Sequence, residues 1–143
     1  MHHGVSDQSR ASQHRRVDSD VLLQGGRWRG AMYLAGYRLE CLLKFKLMRK
    51  FDCGNIGELD EELKRRGLIR ADATMYTHDF ESLLRASEGF DRLRRAPEVW
   101  YFFLIVNRWV PAWRYNPDQA NEGEATSFLE AIDQVANWID ANV

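Results

Sequence analysis

The sequence predicts an all-α protein: an up-and-down bundle of about five helices built around one long central helix. Three observations lead there. From Trp28 to Phe51 the chain is apolar around most of a helical circumference. From Glu124 to Asn142 a second amphipathic pattern repeats at the same period. The one run that a β-strand also suits by composition, Glu98 to Val110, has no partner strands elsewhere in the chain.

The bulk numbers fit this class. A chain of 143 residues is long enough for one domain with a real core. A hydrophobic content of 45% and an aromatic content of 12% exclude a disordered chain. A formal net charge of -1 excludes a polycation that holds nucleic acid by charge alone. The charge is nevertheless lopsided. From Asn116 to Val143 there are six acids (Asp118, Glu122, Glu124, Glu130, Asp133, Asp140) and no Lys or Arg, so the preceding 115 residues hold 20 bases against 15 acids. Cys41 and Cys53 make neither a disulfide framework nor a zinc spacing. With no leader and no apolar run long enough for a bilayer, the expectation is a soluble, cytoplasmic protein with no metal and no cofactor.

Taken in order, residues 1–17 read as a flexible polar tail. His2, His3 and His14 lie in it, where mobility denies a metal any fixed geometry. The single domain is expected over 18–143. Asp18 or Ser19 is a candidate cap for a short helix carrying Val21, Leu22 and Leu23, and Gly25-Gly26 turns the chain into the central helix.

The central helix carries two apolar lines: Leu34, Tyr37, Cys41, Phe45, Met48, and Ala31, Ala35, Leu39, Leu42. Two lines side by side demand several packing partners. Gly36 costs a lone helix about 1 kcal/mol relative to Ala, and close approach by a neighbour is a reason for it. Cys41 reads as a core residue. Glu40 and Lys44 stand at i and i+4 in the favourable order. They form either a solvated ion pair worth a few tenths of a kcal/mol or a polar pair inside the bundle, placed to meet a ligand or a second subunit.

Asp52 to Asn55 is loop chemistry. Gly57 to Gly67 runs from acids to bases, as the helix dipole favours, with only Leu59 and Leu63 as an apolar edge, so this helix is peripheral. Leu68 to Tyr76 is a connecting loop. Thr77 is placed as the N-cap of a helix opened by His78-Asp79, with Phe80, Leu83 and Leu84 facing inward. His78 and Asp79 either finish that helix start or present a group that donates to phosphate and titrates near neutrality. Residues Ser87 to Pro97 form a loop that becomes basic at Arg92, Arg94 and Arg95, and Pro97 suits a first helical turn. Pro111 to Pro117 breaks the aromatic helix. Within it Arg114 and Tyr115 either hold a phosphate and stack a base, or form a rigid aromatic linker. The last helix carries Phe128, Ile132, Val135 and Ile139 as its stripe.

The run Leu22-Leu23-Gln24-Gly25-Gly26-Arg27-Trp28-Arg29-Gly30-Ala31-Met32-Tyr33-Leu34-Ala35-Gly36-Tyr37-Arg38-Leu39-Glu40-Cys41-Leu42-Leu43-Lys44 resembles the first conserved block of HEPN domains, small helical bundles of prokaryotes found also in some eukaryotic proteins. The His78-Asp79 pair leading into a Leu-rich helix, and the Arg114-Tyr115 step followed by Pro117, are shorter matches. Together they cover roughly Asp18 to Ile139. The resemblance implies a homodimer, and it suggests pairing with a nucleotidyltransferase encoded beside it.

Many HEPN proteins are metal-independent ribonucleases, whose signature is an Arg followed after four to six residues by a His. That signature is absent here. His78 has Ala71, Asp72 and Ala73 at the allowed upstream positions, and Arg70 is one residue too far. Arg10 is one residue too near His14, and Arg108 is followed at the allowed distances by Trp113, Arg114 and Tyr115. The expectation is therefore a non-catalytic module that binds a nucleotide or RNA phosphate through Lys44, His78, Asp79, Arg114 and Tyr115, with the Glu40–Lys44 pair behind them. The alternatives are a ribonuclease toxin or defence effector using His78, in a toxin–antitoxin setting, and a purely structural interaction protein. No Gly-rich phosphate loop, metal triad or nucleophile elbow suggests another enzyme.

Overall fold

The computed structural model describes residues 4–115 and 120–143, and the described residues are helical with no strand. They form seven α-helices: α1 (Val5–Gln24), α2 (Trp28–Lys50), α3 (Ile56–Arg65), α4 (Phe80–Ala86), α5 (Phe90–Arg94), α6 (Pro97–Val106) and α7 (Glu122–Asn142). A 310 turn, Pro111–Tyr115, precedes α7. Asn116 and Pro117, part of the expected helix-breaking segment, lie outside the described residues, as do His2 and His3.

The all-α class and the central helix match the sequence reading. α2 buries eleven side chains or glycines, from Ala31 to Met48. The deepest line is Ala35, Leu39, Leu43 and Leu47, each at 0–1% exposure. Helices α1, α2, α6 and α7 alternate in direction. α1 returns antiparallel along α2: Leu22 lies by Gly30, Ser12 Oγ donates to Arg38 O at 3.1 Å, and Val5 N donates to Gly54 O at 3.0 Å. α2 and α7 run in the same direction, as the ion pairs Arg38–Asp133 (2.5 Å) and Lys46–Asp140 (3.3 Å) show. α6 runs opposite to both, bringing Trp109 just beyond its end onto the first turns of α2. The short helices α3 to α5 fill the crossover between α2 and α6.

Several boundaries differ from expectation, each for a local reason. The N-terminal segment is not a flexible tail over its described part, since α1 begins at Val5. Its buried positions are Gln8, Ser12 and Ser19, so it docks through small and polar side chains that carry no apolar periodicity. α4 starts at Phe80, two residues after the expected opening, because Asp79 is its N-cap and Thr77 Oγ1 instead accepts the Asp79 N–H at 3.1 Å. A single helical turn, α5, interrupts the Ser87–Pro97 loop and buries Phe90 and Leu93.

Strong caps set the starts of α3 and α7, one and two residues before the expected Gly57 and Glu124. Asn55 accepts Glu58 N–H at 2.9 Å while Glu58 accepts Gly54 N–H at 2.7 Å, a reciprocal arrangement that fixes the start of α3. Asn121 does the same work for α7, accepting Glu124 N–H at 2.8 Å.

Gly36 has a specific partner. A Cβ built there would lie 2.2 Å from Trp109 Cδ1 and Nε1. The indole rests on bare helix backbone, donates from Nε1 to Tyr33 O at 3.0 Å, and stacks on Phe80 at 5.2 Å between centroids. The glycine that weakens α2 locally is what lets the chain beyond α6 reach the core.

Candidate functional site

The polar pair expected on α2 lies inside the protein. Glu40 is 3% exposed and Lys44 7%, and Lys44 Nζ donates to Glu40 Oε2 at 3.1 Å. The solvated reading of this pair is thus corrected: α1 and the approach to α4 cover it. The second carboxylate oxygen, Oε1, meets His78 Nδ1 at 2.5 Å. His78 comes from the loop ahead of α4, and about half of its side chain remains in solvent.

These three residues form one network with assigned roles. Glu40 accepts from Lys44 Nζ at one oxygen, and a carboxylate only accepts hydrogen bonds, so Nδ1 of His78 is the donor to the other. Nε2 points away from Glu40 and has no protein partner among the described residues. A carboxylate behind one imidazole nitrogen and solvent at the other is an arrangement suited to accepting, donating or shuttling a proton.

The charge on Glu40 marks its neighbours. Burial, and then the nearby carboxylate, push the Cys41 thiol up to about 12, against the smaller opposing pull of Lys44 and Arg15. Burial and Glu40 likewise raise the Tyr37 hydroxyl above its ordinary value, with Arg15 opposing. Arg15 reaches this face of α2 from α1, with its guanidinium 5.6 Å from the Tyr37 ring centre. It was hidden to sequence reasoning because it sits in the segment taken as a tail. Its spacing of three residues from Asp18, with which it pairs at 3.8 Å, was the only local sign of a helix.

The other predicted residues are elsewhere or otherwise engaged. Asp79 accepts from Ser82 Oγ at 2.6 Å and caps α4. Arg114 lies over the ring of Tyr115, which is 79% exposed, and no hydrogen bond or ion pair joins either to Glu40, Lys44 or His78 among the described residues. The 310 turn that carries them is anchored at the start of α2, where Arg29 sits 4.8 Å from the Trp113 ring centre. Glu40 is eleven residues further on, about 16 Å along the helix axis.

That end of the bundle holds a cavity of about 610 Å³ between α2, α6, the 310 turn and α7. Arg29 and Arg108 line it, and neither was singled out as a binding residue from the sequence. Nothing in their local spacing marks them, since they come from the start of α2 and from the turn beyond α6, far apart in the chain. Among the described residues, no three His, Cys, Asp or Glu side chains converge as a metal site, and no helix is long and apolar enough to cross a membrane. No family model matches the chain, and neither a curated protein nor a solved structure matches it.

Proposed function

We propose that the chain is a non-catalytic, HEPN-like helical module that binds an RNA or nucleotide phosphate at His78. The observation that carries this reading is the His78 ring itself: Nδ1 is fixed 2.5 Å from a buried carboxylate while Nε2 faces solvent. Arg15 supplies a cation on the same face of α2. Lys44 acts from behind, since its ammonium is committed to Glu40. Arg114 and Tyr115 are given no part in this site. In the direct test, labelled single-stranded RNA should be retained by the protein without being cut, and His78→Ala and Arg15→Gln should each weaken retention several-fold. Absence of binding by the unaltered protein sinks the reading.

The carboxylate–imidazole pair favours one second reading, a metal-independent ribonuclease. It requires RNA cleavage without metal that disappears in His78→Ala while the circular dichroism spectrum stays unchanged.

The protein partner in this proposal is a second copy of the chain or a nucleotidyltransferase, seated on α6. That helix exposes Tyr101 and Leu104 and leaves Trp100, Phe102 and Ile105 half-buried, a larger apolar face than a solvated helix needs.

A further inference from the structure

We infer that the cavity between α2, α6, the 310 turn and α7 is a binding site for a small phosphate monoester carrying a flat ring, either aryl or nucleoside. This goes beyond the His78 reading and does not depend on it.

Size comes first. A cavity of about 610 Å³ falls within the range of small-molecule sites, about 300–1,000 Å³. Its polar groups are cationic. Arg29 and Arg108 both line it, and neither has a carboxylate partner among the described residues. Among the described residues, Arg29 Nε is buried and meets no acceptor, an arrangement that costs free energy until an acceptor arrives. Its guanidinium is also held in place by the Trp113 ring at 4.8 Å. A planar donor fork fixed in this way suits the paired oxygens of a phosphate better than a mobile ammonium does. Ser127 adds a hydroxyl, and the start of the 21-residue helix α7 lines the same space with its positive dipole end.

Two further features narrow the ligand. Trp113 and Phe128, packed edge to face at 5.3 Å, give the cavity an aromatic wall that inorganic phosphate leaves unused. Glu124 also lines the cavity, with Oε1 accepting from Asn121 Nδ2 at 3.0 Å. Two guanidiniums opposed by one carboxylate suit the one to two negative charges of a monoester and disfavour a triphosphate.

The test is calorimetric titration of the full chain with phenyl phosphate, adenosine monophosphate and inorganic phosphate. Saturable one-to-one binding is expected for at least one ring-bearing ester, at least about tenfold tighter than inorganic phosphate, and the order of the two esters decides between an aryl and a nucleoside body. Arg108→Gln, an exposed position that leaves the core untouched, should weaken binding about tenfold or more, as should Arg29→Met. Arg70→Gln, an equal loss of charge at a distant loop, should leave it unchanged. The inference is overturned if the unaltered protein shows no saturable binding at millimolar ester, if both cavity variants bind as well as wild type, or if inorganic phosphate binds as tightly as the esters. Loss of ester binding in His78→Ala but not in the arginine variants would move the ligand to His78, supporting the earlier reading and refuting this one.

Discussion

Replacing Gly36 by Ala should destabilise the protein, although alanine is the better helix former. The new methyl carbon would lie 2.2 Å from two atoms of the Trp109 indole. Ordinary contact begins near 3.4 Å, so the indole must retreat by more than about 1 Å. Trp109 is 4% exposed and wedged against Phe80, Tyr33 and Tyr37, so it has no free direction. Forcing a methyl into such packing costs about 1–3 kcal/mol. Displacing the indole N–H from Tyr33 O leaves a buried donor unsatisfied, at about 1–3 kcal/mol more. The helix regains about 1 kcal/mol from alanine. The net expectation is a loss of about 1–5 kcal/mol, or a melting temperature about 3–15 °C lower for a domain of this size. Urea unfolding followed by near-ultraviolet circular dichroism reads both the stability and the indole environment. The decisive comparison is the Trp109→Ala background, in which the same Gly36→Ala change should become neutral or stabilising. A Gly36→Ala protein as stable as wild type, or an equal loss in both backgrounds, refutes the reasoning.

Four other outcomes are expected. Glu40→Ala should cost about 3–5 kcal/mol in urea unfolding, because it strands the buried Lys44 ammonium, whereas Glu40→Leu with Lys44→Met should recover most of the loss. Asp60 is pushed up by burial, but bonds from Lys64, the Met75 N–H and Thr74 outweigh that and hold it below its ordinary value. Its contribution is therefore full above about pH 4 and disappears as pH falls through the lower folded-state value, so Asp60→Asn should be less stable than wild type at pH 7 and equal to it in strong acid. Cys41, with its thiol pushed up to about 12, should resist thiol reagents at pH 8 in the native protein and react once urea unfolds it, as read by mass spectrometry. If α6 carries the dimer, Tyr101→Asp should shift the sedimentation coefficient to the monomer value without lowering thermal stability.

The architecture was legible wherever apolar periodicity or a strong cap stood in the chain. α2 and α7 are legible from their stripes, and α3 from its charge gradient and the Leu59–Leu63 edge. α1 is not, because its buried face is Gln8, Ser12 and Ser19, and polar contacts leave no periodic trace in a sequence. The site was legible in part. Glu40, Lys44 and His78 were each named, but their union depends on a contact across 38 residues that spacing cannot reveal. Arg114 and Tyr115 were grouped with them by resemblance, and the fold anchors their turn at the opposite end of α2. Arg29, at the start of α2, and Arg108, just beyond α6, escaped notice because they share a cavity only through the 310 turn and α7.

The polar seam beneath α1 has a kinetic consequence. The buried apolar cluster contains no α1 residue, and only Val5, Leu22 and Leu23 touch its edge. Releasing α1 would therefore hydrate serines, a glutamine and the Glu40–Lys44 pair it covers, and would cost the cluster only the edge contacts of Val5, Leu22 and Leu23. Such a helix can come away as a unit, at a free energy well below global unfolding, and its amides should exchange with solvent before those of α2 or α7. Since Arg15 rides on α1, each excursion would also withdraw the guanidinium assigned to the His78 face. The affinity of that face would then be set partly by the fraction of time the first helix stays docked.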